Sequence, residues 1–117
     1  MKNYLAVFLG SPDALQKYLA MEEKMRKEND QKGMQAWMAW AQKYQSEIVN
    51  VGSPLGKTKR IDKSGISDVR NELGAWCVVK ANSHDEAAQM FIDHPHFTIF
   101  PGERVEVMEC LPIPSRE

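Results

Sequence analysis

His94 and His96 stand two residues apart around Pro95, and Asp68, Arg70 and Asn71 form the other cluster of side chains able to act on a ligand. An imidazole titrates unperturbed near neutrality, so either histidine could take a proton from a substrate and return it. Arg70 offers a fork of donors and Asn71 one more, a set suited to a carboxylate or phosphate, with Asp68 beside them. Trp37 and Trp40, three apart on one helix, could give a pocket an aromatic wall. Two histidines projecting together from an extended segment could also hold a metal, but a histidine at a helix end is the stronger reading, and neither a metal nor a cofactor is expected. Each feature also has a purely structural account. A histidine ending a helix suits the negative end of its dipole, a tryptophan stripe packs against a sheet, and Arg and Asn solvate an exposed hairpin.

The stretch GSPLGKTKR, residues 52–60, looks at first like a phosphate-binding loop. That loop needs four residues between its glycines, and it leaves a strand to enter a helix. Here only Ser53, Pro54 and Leu55 separate Gly52 from Gly56, and Pro54 has no N–H to offer. The residues before Gly52 read as a helix and those after Lys57 as a strand, the reverse of the required order. The stretch is expected to be a structural turn.

These side chains must be positioned by a single domain, since 117 residues can bury one core. Hydrophobic residues make up 43% and charged ones 26%, with a net charge of −1, an ordinary globular balance that gives no basis for nucleic-acid binding. The longest apolar run, Tyr4 to Leu9, is too short for a membrane span or a secretory signal, so a cytoplasmic protein is expected. Cys77 and Cys110 stand singly in strand-like segments and read as small buried hydrophobes in a reducing compartment.

Residues 3–9 are apolar at nearly every position, the mark of a strand covered on both faces. Ser11 caps a helix with Pro12 at its first position, expected to reach about Glu28 before the polar run NDQKG interrupts it. A second helix is expected from Met34 to Ile48, with Met34, Trp37, Met38, Ala41 and Tyr44 facing the sheet and Gly52 and Pro54 ending it. Strand-like TKRI and ISDVR follow around a turn at Asp62 to Gly65, then the strand LGAWCVVKA, residues 73–81. Ser83 and Glu86 form a capping box opening a helix that His94-Pro95 closes, and RVEVMECL is the last strand.

The order strand, helix in two pieces, strand, strand, helix, strand gives an α+β fold of the ferredoxin-like, split βαβ kind, with a four-stranded antiparallel sheet and helices on one face. Its other face would be bare, although the first and third strands are apolar on both sides. A second copy of the sheet is the simplest cover, so a homodimer is expected. The topology is expected to gather the exit of the first strand, the 62–72 hairpin and the 94–103 loop at one end of the sheet, with GSPLGK at the other.

In the helix MQAWMAWAQKYQSEIVNVG leading into GSPLG, the segment GAWCVVKANSHDEAAQMFIDHPHF and the final RVEVMECLPIP, the chain resembles the YCII-related, DGPF-like family of dimeric α+β barrel proteins. The resemblance covers residues 1–10 and 34–114, leaving 12–32 as a helical insertion in a single domain spanning 1–117. It implies the barrel fold, a homodimer and a small-molecule pocket. Some members carry a proposed catalytic pair whose histidine lies in an Arg-Pro-x-His-Leu pattern. This chain has Met34-Gln35-Ala36-Trp37-Met38 there, and Ser67-Asp68-Val69-Arg70-Asn71 in the neighbourhood of the DGPF tetrapeptide.

Two functions remain open on these grounds. One is an enzyme on a small organic acid or aromatic compound, with His94 or His96 as acid/base and Arg70 and Asn71 holding the anion. The other is a non-catalytic ligand-binding or protein-interaction module.

Overall fold

The computed structural model describes residues 1–114. Strand β1 (Lys2–Leu9) leads through the Ser11 cap into α1 (Pro12–Leu19), α2 (Glu23–Lys43) and β2 (Ile48–Pro54). A ribbon of β3 (Thr58–Asp62) and β4 (Gly65–Val69) precedes β5 (Leu73–Ala81), α3 (His84–Gln89), α4 (Pro95–Thr98) and β6 (Arg104–Glu109). The main sheet has the order β2-β5-β1-β6 with every neighbour antiparallel, which is the ferredoxin-like arrangement expected from the sequence. The β3–β4 ribbon pairs only with itself, as a separate two-stranded sheet.

Alternation along β1 sorts the two faces. Tyr4, Ala6 and Phe8 are buried under the helices with Cys77 and Val79 of β5, while Leu5 and Val7 lie on the opposite face beside Val78 and Trp76. Around this core pack Trp37 and Trp40 of α2, Tyr44 at its C-terminal cap, and Val105 and Val107 of β6. The opposite face has no helix over it, and its apolar residues Leu5, Val7, Trp76 and Val78 stay half-exposed.

Several local expectations fail for identifiable reasons. The helical break falls at 20–22, not at NDQKG: the Arg26 guanidinium donates to the Leu19 carbonyl at 2.8 Å and helps close α1 there. Gly33, read as part of a break, sits inside α2 and is buried, because a Cβ there would lie 2.4 Å from the Phe100 ring. The close approach of helix to loop outweighs the roughly 1 kcal/mol by which glycine disfavours a helix. The face of α2 toward the core carries Trp37, Trp40 and Tyr44, whereas Met34 and Met38 are 56% and 67% exposed.

What precedes Gly52 is a strand, not a helix. Ile48, Asn50, Ser53 and Pro54 pair with β5 across two register shifts, and Gly52 turns the bulge with φ of +69° where a Cβ would strike the Trp76 carbonyl. Asn50 Oδ1 accepts the Gly52 N–H at 2.9 Å, so this glycine makes a bulge and caps no helix. With a strand on each side of Gly56, no helix follows to hold a phosphate. Pro54 and Phe8 both pair with Ala75, which puts GSPLGK at the same end of the sheet as Leu9 and Gly10 and not at the far end. Cys110 also departs from expectation, being exposed just past β6, while Cys77 is buried and its thiol is pushed up to about 12 by desolvation.

Candidate functional site

His94 and His96 sit at the end of the sheet where β1 exits, under α2. The helix begun by the Ser83 and Glu86 capping box is short, and the chain turns at Met90 to Phe91 and passes Asp93 in the left-handed region, with φ of +57°. This brings His94 to the start of α4, not to the end of a helix, with Pro95 at the first helical position. His94 Nδ1 accepts the backbone N–H of His96 at 3.0 Å, the role an N-cap side chain plays. A helix N-terminus disfavours a cation, so the imidazole belongs here neutral.

The ring of His94 is 0% exposed and set among Phe8, Trp37, Trp40 and Phe91, with centroids 5.0, 4.5, 4.6 and 5.9 Å away. Because Nδ1 accepts, its proton is assigned to Nε2, and that atom has no hydrogen-bond partner. The indoles of Trp37 and Trp40 stand at 88° and 71° to the ring. Burial, reinforced by the neighbouring His96, pushes the His94 pKa down to about 3. Trp40 is fixed in turn by its own N–H, which donates to the Met90 carbonyl at 2.6 Å.

His96 is half-buried and placed differently. Its Nε2 bonds to the Leu9 carbonyl at 2.8 Å, tying α4 to the end of β1. Desolvation lowers its pKa, while the carbonyls of Leu9 and Arg104 pull the other way by favouring the charged form. Gly102 lies against the ring so closely that a Cβ would stand 2.2 Å from Nε2. The two imidazoles thus engage separate partners, and their segment is helical, so they do not converge on a shared cation. Among the described residues no group of three or more His, Cys, Asp or Glu could hold a metal.

Asp68, Arg70 and Asn71 are exposed on and beside the β3–β4 ribbon. Asp68 pairs with Lys59 at 2.6 Å. Asn71 holds the root of the ribbon, its Nδ2 donating to Thr58 Oγ1 and its Oδ1 accepting the Leu73 N–H. Ring contacts thus bring Trp37, Trp40, His94 and His96 together, and none of the described contacts joins Asp68, Arg70 or Asn71 to them. The helical insertion reaches toward the site through a polar bridge: the Tyr18 hydroxyl donates to Asp30, and Asn29 Nδ2 donates to both Tyr18 and the Ile99 carbonyl.

The sequence reading passed over a groove of about 410 Å³ between α3, α4 and β6. Phe91, Phe97, Val105 and Val107 form its apolar part, with His84 and Glu103 at its rim. His84 Nε2 bonds to the Val107 carbonyl at 2.7 Å and its ring stacks on Tyr4 at 5.2 Å. In the sequence His84 is only the residue after a helix cap. Nothing local distinguishes it; strand β6, distant in sequence, makes it part of a groove.

Fold and site together define a ferredoxin-like α+β protein with an uncovered sheet face and a histidine-aromatic cluster beneath its helices. Among solved structures the chain is similar to 5-chloro-2-hydroxyhydroquinone dehydrochlorinase (TftG) from Burkholderia phenoliruptrix, determined in complex with 2,5-dihydroxybenzoquinone. The TM-score is 0.53 at 19% identity, over 90% of this chain and 89% of that one. At that identity the likeness shows the fold. No family model and no curated protein matches the chain. No helix among the described residues is long and apolar enough to cross a membrane.

Proposed function

We propose that this protein is a YCII-like homodimer that binds a small aromatic or acidic organic compound, and that His96, not His94, is the histidine able to exchange a proton with it. The observation that carries the choice is the difference in access: His94 is fully buried with its Nδ1 committed, while His96 is half-buried at the exit of β1. His94 then serves as a positioning residue, since its Nδ1 fixes the backbone N–H of His96. The ligand class is supported by the fold's likeness to an enzyme solved with a dihydroxybenzoquinone. The dimer is supported by the uncovered face bearing Leu5, Val7, Trp76 and Val78, apolar surface that a soluble chain ordinarily covers. The anion-holding role of Arg70 and Asn71 draws no support from contacts within one chain, where Asn71 is committed to Thr58 and Leu73.

A second reading, a non-catalytic binding or interaction module, draws on the same hydrogen bonds. With His96 Nε2 bonded to Leu9 and His94 sealed, both rings have structural work that explains their presence. A thermal-shift screen of small aromatic acids and hydroxylated quinones, at several pH values, separates the two. On the catalytic reading the wild type responds to a ligand, H94N responds more weakly, and H96N loses that response or its pH dependence. Equal responses from all three proteins would remove the histidine role and leave the binding module.

A further inference from the structure

An isolated two-stranded ribbon is marginal in water, yet β3 and β4 form one that pairs with nothing else. Ile61 and Ile66 face each other directly across it near the turn, and they are 73% and 71% exposed. The whole chain is correspondingly extended, with a radius of gyration of 16.4 Å where a compact domain of this length has about 13 Å. Its dimensions, 59 × 44 × 18 Å, are those of a flat body with an unfilled side.

Charge is divided in the same way. Residues 57–70 hold five cations, Lys57, Lys59, Arg60, Lys63 and Arg70, against Asp62 and Asp68, an excess of three positive charges. The chain as a whole is at −1, so the remainder carries −4. A body of that sign complements the ribbon, and a second copy of the chain supplies such a body.

The ribbon grows from the end of the main sheet, past Pro54 and Leu73. Its strands continue β2 and β5, and its root is fastened by the Leu55 N–H on the Gly74 carbonyl at 2.9 Å and by Asn71 bridging Thr58 and Leu73. A second copy laid on the open sheet therefore lies beside the base of this arm.

We propose that the β3–β4 ribbon is an arm that grips a second copy of this chain, with the Ile61/Ile66 pair covered by the partner and the arm's positive charge set against the partner's acidic body. The inference rests on the homodimer reading above.

Sedimentation equilibrium on the full chain tests it, using wild type, the double variant Ile61→Asp with Ile66→Asp, and a variant in which residues 59–68 are replaced by a short Gly-Asn turn. The expected result is a wild-type dimer at micromolar concentration and a dissociation constant raised at least 30-fold in both arm variants, with unchanged far-ultraviolet circular dichroism. Added salt should weaken the wild-type dimer more than the arm-deleted one. Arm variants that dimerise like wild type would overturn the arm and leave the sheet-face dimer standing. A wild-type monomer at 100-fold higher concentration would overturn both. Retardation of duplex DNA by wild type that is lost in the arm variants, with dimerisation unchanged, would assign the arm to nucleic acid and overturn the proposal. The ligand responses of the previous section are read on the same proteins, so failure of the arm is distinguishable from failure of the binding site.

Discussion

Around His94 four aromatic rings lie within 4.5 to 5.9 Å of the imidazole, whereas on the β3–β4 arm Ile61 and Ile66 are 73% and 71% exposed and the ion pairs meet solvent. Both regions hold residue types that do chemistry elsewhere: two histidines in one, a run of cations with Asp and Asn in the other. In the first, burial removes charge and freezes geometry, so the histidine behaves as a polar member of the core. In the second, water screens every charge, so the residues gain meaning only if another surface covers them. The lesson is that the environment, and not the residue type, decides what an imidazole or a guanidinium can do here.

The comparison breaks most readily through the core. Phe8 is 1% exposed and touches Trp37, Phe91, His94 and His96. Replacing it with Ala should destabilise the protein by roughly 3–5 kcal/mol in urea unfolding. A loss below about 1 kcal/mol would mean that the cluster is not the packed unit described.

Acid should sharpen the contrast next. An unfolded histidine takes up its proton near pH 6.5, and folded His94 does so only near pH 3. Between those values the unfolded state binds the extra proton, so the stability contributed by neutral His94 is complete above 6.5 and is lost as the pH falls. The slope is about 1.4 kcal/mol per pH unit for one such group, and His96, lowered in the same direction, adds to it. His94→Asn should flatten this acid limb in unfolding curves taken between pH 7 and 4, whatever it does to stability at neutrality. An unaltered slope in the variant would show that His94 is not the buried neutral group.

The arm should give the smallest effect. Lys59 and Asp68 pair at 2.6 Å with side chains 67% and 83% exposed, and exposed pairs contribute little. Asp68→Asn is expected to shift unfolding free energy by less than about 0.5 kcal/mol. A loss several times larger, measured on dilute protein, would mean that the arm is already packed within one chain.

How much of this was legible follows from where the governing contacts lie. β1, β5, β6 and the Ser83 cap were readable because apolar runs and cap chemistry are local signals. β2 was hidden because Ile48 continues the three- and four-residue spacing of α2, and because Gly52 and Pro54 serve equally as a helix stop or as a bulge at a strand end. The α1–α2 break was misplaced for a related reason: Gly33 resembles a terminator until Phe100, 67 residues later, is seen lying against it.

For the site, the sequence was enough to put Trp37 and Trp40 on one helix by their spacing and to stop the preceding helix at His94-Pro95, but it left His96 in a loop where the structure has α4. It also determined that the 57–70 stretch would be charged and turn-rich. Tertiary structure alone decided that His94 caps a helix from inside an aromatic cage, that His96 bonds to Leu9, and that the hairpin stands off from the sheet with Ile61 and Ile66 uncovered. The physical reason is that protonation and exposure depend on desolvation by atoms distant in sequence, here Phe8, Phe91 and the tryptophans, and no spacing rule within a segment encodes what will be folded over it.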